Sequence, residues 1–118
     1  MKYELTEIAK RIQGITLYRI RALKSFANIK EGDLGGYVES VKNLDQSGDA
    51  WVYDDACVFG NAWVSGKARV YDNACVYDNA RVYDDAWVYD DARVYGVANV
   101  SGNARVYGDA RMYKKVTQ

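Results

Sequence analysis

The sequence predicts an all-β fold in which the chain winds into a coil of very short strands. Alanine recurs at every sixth position from Ala50 to Ala110 without a gap, and an apolar residue follows each alanine two positions later. The last two positions of each unit hold mainly Asp, Asn or Gly, which favour turns. A period of six residues suits a short strand followed by a corner, and it suits neither an α-helix nor a long strand. We therefore expect a solenoid over residues 49–118 and a separate cap over residues 1–48.

The repeat unit has six slots, which we number from its alanine. Slot 3 holds valine ten times and finally Met112, and it shares a side with slot 1 because side chains alternate along a strand. We expect both slots to point inward. We expect slot 6 to take a left-handed backbone conformation, since Asn and Asp tolerate it best after glycine. Lys67 and Val97 are exceptions at this slot, and Val97 is the less suitable because β-branched residues disfavour positive φ.

The eleven repeats resemble those of the hexapeptide-repeat family, and the match covers about residues 49–115. The stretch GDLGGYVESVKNLDQSGDAWV (32–52) also resembles the start of the coil in small bacterial and phage members, which are often assigned as transferases on fold alone. The resemblance implies a left-handed parallel β-helix with three hexapeptides in each triangular coil, and hence somewhat under four coils here. It also implies a homotrimer, which is the usual oligomer of the family.

Residues 1–48 differ in pattern from the repeats. The stretch TLYRIRAL (16–23) alternates in the manner of a strand, whereas LTEIAKRI (5–12) suits one or two helical turns with Thr6 as a weak N-cap. The stretch KEGDLGGYV (30–38) contains three glycines, which predict a turn or hairpin. Because the open end of a coil is an unpaired strand edge, we expect this segment to be a small β-rich cap.

With three hexapeptides in each coil, residues eighteen apart stack at the spacing of paired strands, and the outward slots 2 and 4 form three faces. The first face carries Trp51, Arg69, Trp87 and Arg105 beside Tyr53, Tyr71, Tyr89 and Tyr107; the second carries Cys57, Cys75, Arg93 and Arg111 beside Phe59, Tyr77, Tyr95 and Tyr113; the third carries Trp63, Arg81 and Asn99 beside Ser65, Tyr83 and Ser101. On the first face, an arginine between two tryptophans is expected to form a favourable cation–π stack.

The outward Trp, Tyr and Arg side chains are the candidate ligand-binding residues. Aromatic faces stack on a base and guanidinium groups bind phosphate bidentately, so the pattern favours a small anionic aromatic ligand such as a nucleotide. The alternative is that the same side chains only seal contacts between subunits. The candidate set is Arg19, Arg21, Trp51, Tyr53, Trp63, Arg69, Tyr71, Arg81 and Trp87.

The leading functional hypothesis is a non-catalytic, homotrimeric binding protein with its ligand at or near subunit interfaces. An Ala/Val core is thin, so we expect self-association to bury the outward aromatic side chains. Phage proteins of comparable size and oligomeric build sequester immune-signalling nucleotides, which is an analogy of class. A structural scaffold or spike-like trimer is the first alternative, and a histidine-free acyltransferase is the second. The chain contains no histidine, the commonest general base and transition-metal ligand, so we expect no catalytic residue, metal site or cofactor.

Charge and composition narrow the possible partners and location. Lysine plus arginine and aspartate plus glutamate number 16 each, so no net charge attracts long nucleic acid. No apolar run approaches the roughly 18 residues of a membrane span, so we expect no membrane partner. Two cysteines and the lack of a signal-peptide pattern predict a cytoplasmic protein, in the host cytoplasm if a phage encodes it. Acidic corners such as Asp54–Asp55 could attract calcium, but turn geometry explains them.

Overall fold

A computed structural model describes residues 1–114 and shows an all-β chain wound into a parallel β-solenoid of about four turns. Three longer strands precede the coil, namely β1 (Tyr3–Ile12), β2 (Ile15–Ala22) and β3 (Leu34–Val38), and a short 3-10 turn follows at Val41–Asn43. The coil strands are β4 (Trp51–Val52), β5 (Cys57–Val58), β6 (Trp63–Val64), β7 (Arg69–Val70), β8 (Cys75–Val76), β9 (Arg81–Val82), β10 (Trp87–Val88), β11 (Arg93–Val94), β12 (Asn99–Val100), β13 (Arg105–Val106) and β14 (Arg111–Met112). The predicted all-β solenoid is confirmed.

The coil strands form the three predicted faces. Each strand pairs in parallel with the strand eighteen residues later, as Trp51 does with Arg69 and Trp63 with Arg81. The first face is the sheet β4-β7-β10-β13, and the third face is the sheet β6-β9-β12. The second face belongs to a seven-stranded sheet in the order β1-β2-β3-β5-β8-β11-β14. The strands of the cap and of the coil therefore share one continuous sheet.

Slots 1 and 3 form the interior, as the repeat predicts. The slot 1 alanines from Ala50 to Ala98 and the slot 3 valines from Val52 to Val100 are at most 1% exposed. Valine suits the pleated strand, while the single methyl group of alanine leaves room for the neighbouring faces inside a narrow coil. At the C-terminal end of the described chain, Ala110 and Met112 are only partly buried.

The corners differ from the prediction in one slot. Positive φ values of 56–61° occur at slot 5, at Asp54, Asp72, Asp78, Asp84 and Asp90, and glycine with positive φ occupies the other fifth slots as far as Gly108. In each corner the slot 1 N–H donates to the slot 4 carbonyl, as from Ala74 to Tyr71 at 3.3 Å. Positive φ at the second residue of the turn and ordinary φ at the third are the features of a type II′ turn. The expectation for slot 6 was wrong, and Lys67 and Val97 therefore occupy positions of ordinary φ.

Aspartate at slot 5 also satisfies a backbone donor. Each ladder N–H donates to a carbonyl of the following coil, as Phe59 does to Val76. The slot 4 carbonyl that a slot 5 N–H would use in this way is occupied by its own turn, so that N–H needs another acceptor. The Oδ2 atom of Asp54 accepts from the N–H of Asp72 at 3.1 Å. Asp72 and Asp90 accept in the same way from Asp90 and Gly108, at 3.3 and 3.0 Å. The acidic corner between the first and second faces is thus a hydrogen-bonded ladder, which we call the aspartate ladder.

The segment LTEIAKRI is a strand, and the predicted helical turns are wrong. It lies within β1 and pairs antiparallel with β2, with an irregularity between Leu5 and Ala9. Pairing with β2 satisfies its backbone groups, whereas one or two helical turns are not stable without packing. The strand expected in TLYRIRAL is β2, and KEGDLGGYV forms a turn followed by β3.

The cap closes the N-terminal end of the coil. Trp51 is 1% exposed and packs edge-on against Tyr3 and Phe26, with ring centroids 6.2 and 5.3 Å away. Lys2 is also buried, and its Nζ atom donates to the carbonyl of Ala50 at 2.8 Å. Burial disfavours the ammonium form and lowers the pKa of Lys2 to about 8.

The aspartate ladder predicts different effects for two substitutions at one corner. Asp90→Gly removes the acceptor for Gly108 but tolerates positive φ, so we expect a loss of about 1 kcal/mol in the free energy of unfolding. Asp90→Ala also places a methyl group on left-handed backbone and should cost about 1 kcal/mol more. The matched control is Asp91→Ala in exposed slot 6, with an expected change below about 0.5 kcal/mol. Urea unfolding measures all three, and equal stabilities would contradict the assignment.

The buried lysine predicts a pH dependence of stability. The pKa of Lys2 is about 8 in the folded protein against an ordinary 10.5, chiefly because of burial, with Asp45 and Asp49 acting in the opposite direction. Between these values the unfolded chain binds more protons, so stability rises with pH. Between roughly pH 7 and pH 9, the free energy of unfolding of the wild-type protein should rise by about 1 kcal/mol more than that of Lys2→Met. Urea unfolding at both pH values tests this, and parallel profiles of the two proteins would refute it.

Candidate functional site

The tyrosines of the first face form a ladder that is regular except at one end. Tyr71 and Tyr89 stack with ring centroids 4.8 Å apart and an interplanar angle of 3°, and Tyr89 and Tyr107 stack at 5.5 Å. Tyr53 departs from this arrangement, because its ring lies 6.3 Å from that of Tyr71 at an angle of 81°. The stacking order of the coil is therefore broken beside the cap.

A hydrogen bond from the cap accounts for the break. The hydroxyl group of Tyr53 donates to Oδ1 of Asn28 at 3.1 Å. Asn28 lies in a tight turn between Phe26 and Ile29, whose backbones pair with each other, and Ala27 in that turn has a φ of 47°. The turn holds Asn28 where it can reach the first face, so the cap sets the orientation of the Tyr53 ring.

A cleft of about 180 Å³ opens where the ladder breaks, and it is lined by Tyr53, Asp54, Arg69, Tyr71 and Trp87. Within residues 1–114, the guanidinium group of Arg69 makes no salt bridge or hydrogen bond, and it lies 5.5 Å from the ring centroid of Trp87. Burial raises the pKa of the Tyr53 and Tyr71 phenols, which therefore keep their protons at neutral pH. The cleft thus combines a cation free to bind an anion with aromatic walls and the hydroxyl group of Tyr71, since that of Tyr53 already donates to Asn28.

The cation–π stack on the first face has the reverse order from the one predicted. Arg105 lies 4.1 Å from the Trp87 ring centroid and Arg69 lies on the same ring at 5.5 Å, so the tryptophan is sandwiched between two arginines. Trp51 does not complete the expected sandwich around Arg69, because it is buried under the cap against Tyr3. Trp51 consequently presents almost no surface to a ligand.

The remaining candidate residues lie elsewhere. Trp63 and Arg81 are on the third face, where the guanidinium carbon of Arg81 is 5.8 Å from the Trp63 ring centroid. Arg19 donates to the hydroxyl of Tyr37 at 2.8 Å and pairs with Asp55 at 3.2 Å, which fastens the cap to a corner of the coil.

Arg21 forms an exposed ion pair with Glu4 on the cap hairpin. Of the nine predicted residues, the structure brings together Tyr53, Arg69, Tyr71 and Trp87. Sequence reasoning missed Asp54, whose slot follows Tyr53, and it also missed Asn28, for which the repeat gives no signal.

The described residues contain neither a metal-binding cluster nor a membrane-spanning helix. No group of three or more His, Cys, Asp or Glu side chains among residues 1–114 is arranged to hold a metal ion. The slot 5 carboxylates of the acidic corner, those of Asp54, Asp72 and Asp90, instead take part in the aspartate ladder. No helix in the described part of the chain is long and apolar enough to cross a membrane.

Comparison with known proteins supports the solenoid. The family model described as the YdcK β-solenoid repeat matches residues 76–90, 80–97 and 98–114, which lie in the C-terminal half of the coil. A search of curated proteins gave no significant match. The chain is therefore similar to a known β-solenoid repeat over those residues.

The position of Tyr53 gives a direct test of how the cleft is built. Removing the acceptor with Asn28→Ala should let the Tyr53 ring stack on Tyr71 as the later rungs stack, which would close the cleft. Ring-current shifts of the Tyr53 protons in NMR spectra would report the change as an upfield displacement. Asn103→Ala, an exposed slot 6 asparagine, is the control and should leave these shifts unchanged. Unchanged Tyr53 shifts in Asn28→Ala would show that Asn28 does not hold the ring.

Proposed function

We propose that this protein is a non-catalytic binding protein that captures a small anionic aromatic ligand of the nucleotide class in the Tyr53–Arg69–Tyr71–Trp87 cleft. The observation that carries the proposal is the Arg69 guanidinium, which has no partner within residues 1–114 and lies in an aromatic cleft. A planar guanidinium binds phosphate oxygens bidentately. The aromatic walls supply the apolar contact that a base requires.

We propose further that the protein acts as a homotrimer in which a neighbouring subunit completes the site. A cleft of about 180 Å³ is smaller than the roughly 300–1,000 Å³ of most ligand pockets, so one chain alone encloses only part of a nucleotide. Trp63 on the third face is 40% exposed and lies beside Arg81. In a closed ring each subunit presents different faces to its two neighbours, so a third face could meet a first face. Such an arrangement would bring Trp63 and Arg81 of one subunit to the cleft of another.

The groups in the cleft favour binding over catalysis. The phenols of Tyr53 and Tyr71 have raised pKa values because burial disfavours the phenolate, so they are poor bases at neutral pH. The carboxylate of Asp54 is engaged with the backbone N–H of Asp72 at 3.1 Å. A cleft with these groups holds an anion but has no group suited to accept a proton from a substrate.

Capture without turnover suits a protein that lowers the free concentration of a signal. We propose sequestration of a nucleotide signal in the cytoplasm as the role, by analogy with the phage proteins that remove immune-signalling nucleotides. A sequestering protein needs affinity and abundance but no catalytic group. The analogy is one of size and oligomeric build, and no shared motif connects those proteins to this chain.

A structural trimeric scaffold is the second candidate function. The tyrosine rings of the first and second faces stack on one another at centroid distances of 4.8–5.9 Å, apart from Tyr53. Rings that cover each other's faces stabilise the coil itself and leave mainly their edges for other contacts. A histidine-free acyltransferase is the third candidate, and a thermal shift with acetyl-coenzyme A would be required to support it.

The binding proposal predicts that Arg69 contributes to the affinity for the phosphate group of the ligand and not to that for its base. Calorimetric titration of the wild-type protein with adenosine monophosphate, adenosine and ribose 5-phosphate separates the two contributions. Arg69→Gln should lower the affinity for adenosine monophosphate by about 10-fold or more, because a charge-assisted contact is lost. The affinity for adenosine should stay nearly unchanged. Arg111→Gln, in the same slot on the second face, is the matched control and should bind as the wild-type protein does.

Two outcomes would contradict this proposal. Equal losses in Arg69→Gln and Arg111→Gln would mean that the cleft is not the site. Absence of binding across mononucleotides and cyclic dinucleotides would favour the scaffold. Native mass spectrometry tests the trimer separately, and a monomer at micromolar concentration would refute it.

A further inference from the structure

Two cysteines lie side by side on the second face, away from the cleft. Cys57 in β5 and Cys75 in β8 are register partners on adjacent parallel strands, as the eighteen-residue spacing predicts. Both side chains point outward from the coil, beside Phe59 and Tyr77. Cys57 is buried, whereas Cys75 is half-buried and reaches the surface. The two thiols are therefore unequal in their access to solvent.

Positive charges surround this pair of thiols. Arg93 in β11 is the register partner of Cys75 on the side opposite Cys57. Lys10 in β1 reaches over the same area, where its Nζ atom donates to the carbonyl of Asp55 at 3.2 Å and lies 4.1 Å from the Tyr37 ring centroid. Both cations favour a negative charge on a nearby sulfur atom.

Because the two cysteines are register partners, a hydrogen bond from one thiol to the other would decide which sulfur carries that charge. A hydrogen bond from Cys57 lowers the pKa of Cys75 to about 7, and Arg93 and Lys10 act in the same direction against the effect of burial. The same hydrogen bond, followed by burial, raises the pKa of Cys57. In the structure the thiol of Cys57 donates to the carbonyl of Asp55 at 3.5 Å and that of Cys75 to the carbonyl of Asn73 at 3.9 Å, so Cys57 would have to turn its S–H toward a Cys75 thiolate. The thiolate belongs on Cys75 because that residue is the more exposed and adjoins Arg93.

We propose that Cys75 is a nucleophilic thiol that low-molecular-weight disulfides modify, with Cys57 as its hydrogen-bond donor. The Cys75 thiolate attacks one sulfur atom of the disulfide, and a new bond forms between Cys75 and that sulfur as the original S–S bond breaks. The other half leaves as a thiolate, keeps the electron pair and takes a proton from solvent. Cys75 is oxidised to a mixed disulfide, the released thiol is the reduced product, and Cys57 stays a thiol.

This site is independent of the proposed ligand cleft. The thiols lie on the sheet that contains β5, β8 and β11, whereas the cleft lies on the first face, which contains β4, β7 and β10. Modification of Cys75 would add a bulky group to the second face while the cleft keeps its own residues. The two proposals can therefore fail separately.

The test is the reaction of the folded full-length protein with 5,5′-dithiobis(2-nitrobenzoate) across roughly pH 6 to 9. We expect the rapid release of one equivalent of thionitrobenzoate per chain. The pH dependence of the rate of this release should have its midpoint near pH 7, whereas an ordinary thiol has its midpoint at about pH 8.5. Cys75→Ser should abolish this phase. Cys57→Ala removes the hydrogen-bond donor and should raise the midpoint by about one pH unit, whereas Cys57→Ser keeps a hydroxyl donor and should stay near the wild-type value.

Peptide mapping of the singly labelled wild-type protein locates the adduct without any variant. An adduct on Cys57, a rate midpoint near the ordinary value of about 8.5, or identical midpoints in Cys57→Ala and Cys57→Ser would each overturn the proposal. Titration of the labelled protein with adenosine monophosphate then tests independence from the cleft. Unchanged nucleotide affinity is expected, and a loss of nucleotide affinity on labelling would contradict the separation of the two sites.

Discussion

The coil depends on one hydrogen bond, repeated at every corner, from the slot 1 N–H to the slot 4 carbonyl. This bond turns the chain after each short strand, and the turn takes positive φ at slot 5, which only glycine or a residue such as aspartate adopts readily. The bond also occupies the carbonyl that the preceding coil would otherwise use, and aspartate side chains accept several of the slot 5 N–H groups left without it. The acidic corners thus follow from a backbone requirement. The arginines stand on the flat faces, where the backbone makes no such demand.

Most of the fold could be predicted from the six-residue period. Because the same residue type returns at one slot of each unit, the sequence shows repeatedly whether that slot is buried or exposed. The inward slots and the eighteen-residue register were predictable for that reason. The positive-φ slot was not, since slots 5 and 6 hold similar turn-forming residues and turns with positive φ at either position have the same hydrogen bond. The pattern of LTEIAKRI was ambiguous because a single short segment cannot show whether a partner strand is available. Trp51 and Trp87 look equivalent in sequence, yet the cap buries only Trp51.

The candidate cleft lies where the repetition fails, and this explains how much of it could be foreseen. Tyr53, Arg69, Tyr71 and Trp87 were predictable as members of one face, because the repeat places them there. The space between them comes from the bond between Tyr53 and Asn28, two residues that belong to different parts of the chain. The repeat pattern contains no signal that predicts this bond. In a molecule built of nearly identical coils, such a local departure is what makes one region chemically different from the next.

The six-residue unit and the eighteen-residue coil determine how an insertion of repeat units would alter the surface of the coil. An insertion of one complete unit would keep every alanine and valine inside, so the fold would survive. It would also rotate all later residues onto the next face, and the arginines of β7 and β13 would leave the side that carries β4. An insertion of three units would restore the faces and only lengthen the prism. The buried positions therefore repeat every six residues, whereas positions on the same face repeat every eighteen. A duplication of one unit can thus move exposed side chains to another face and leave the buried core intact.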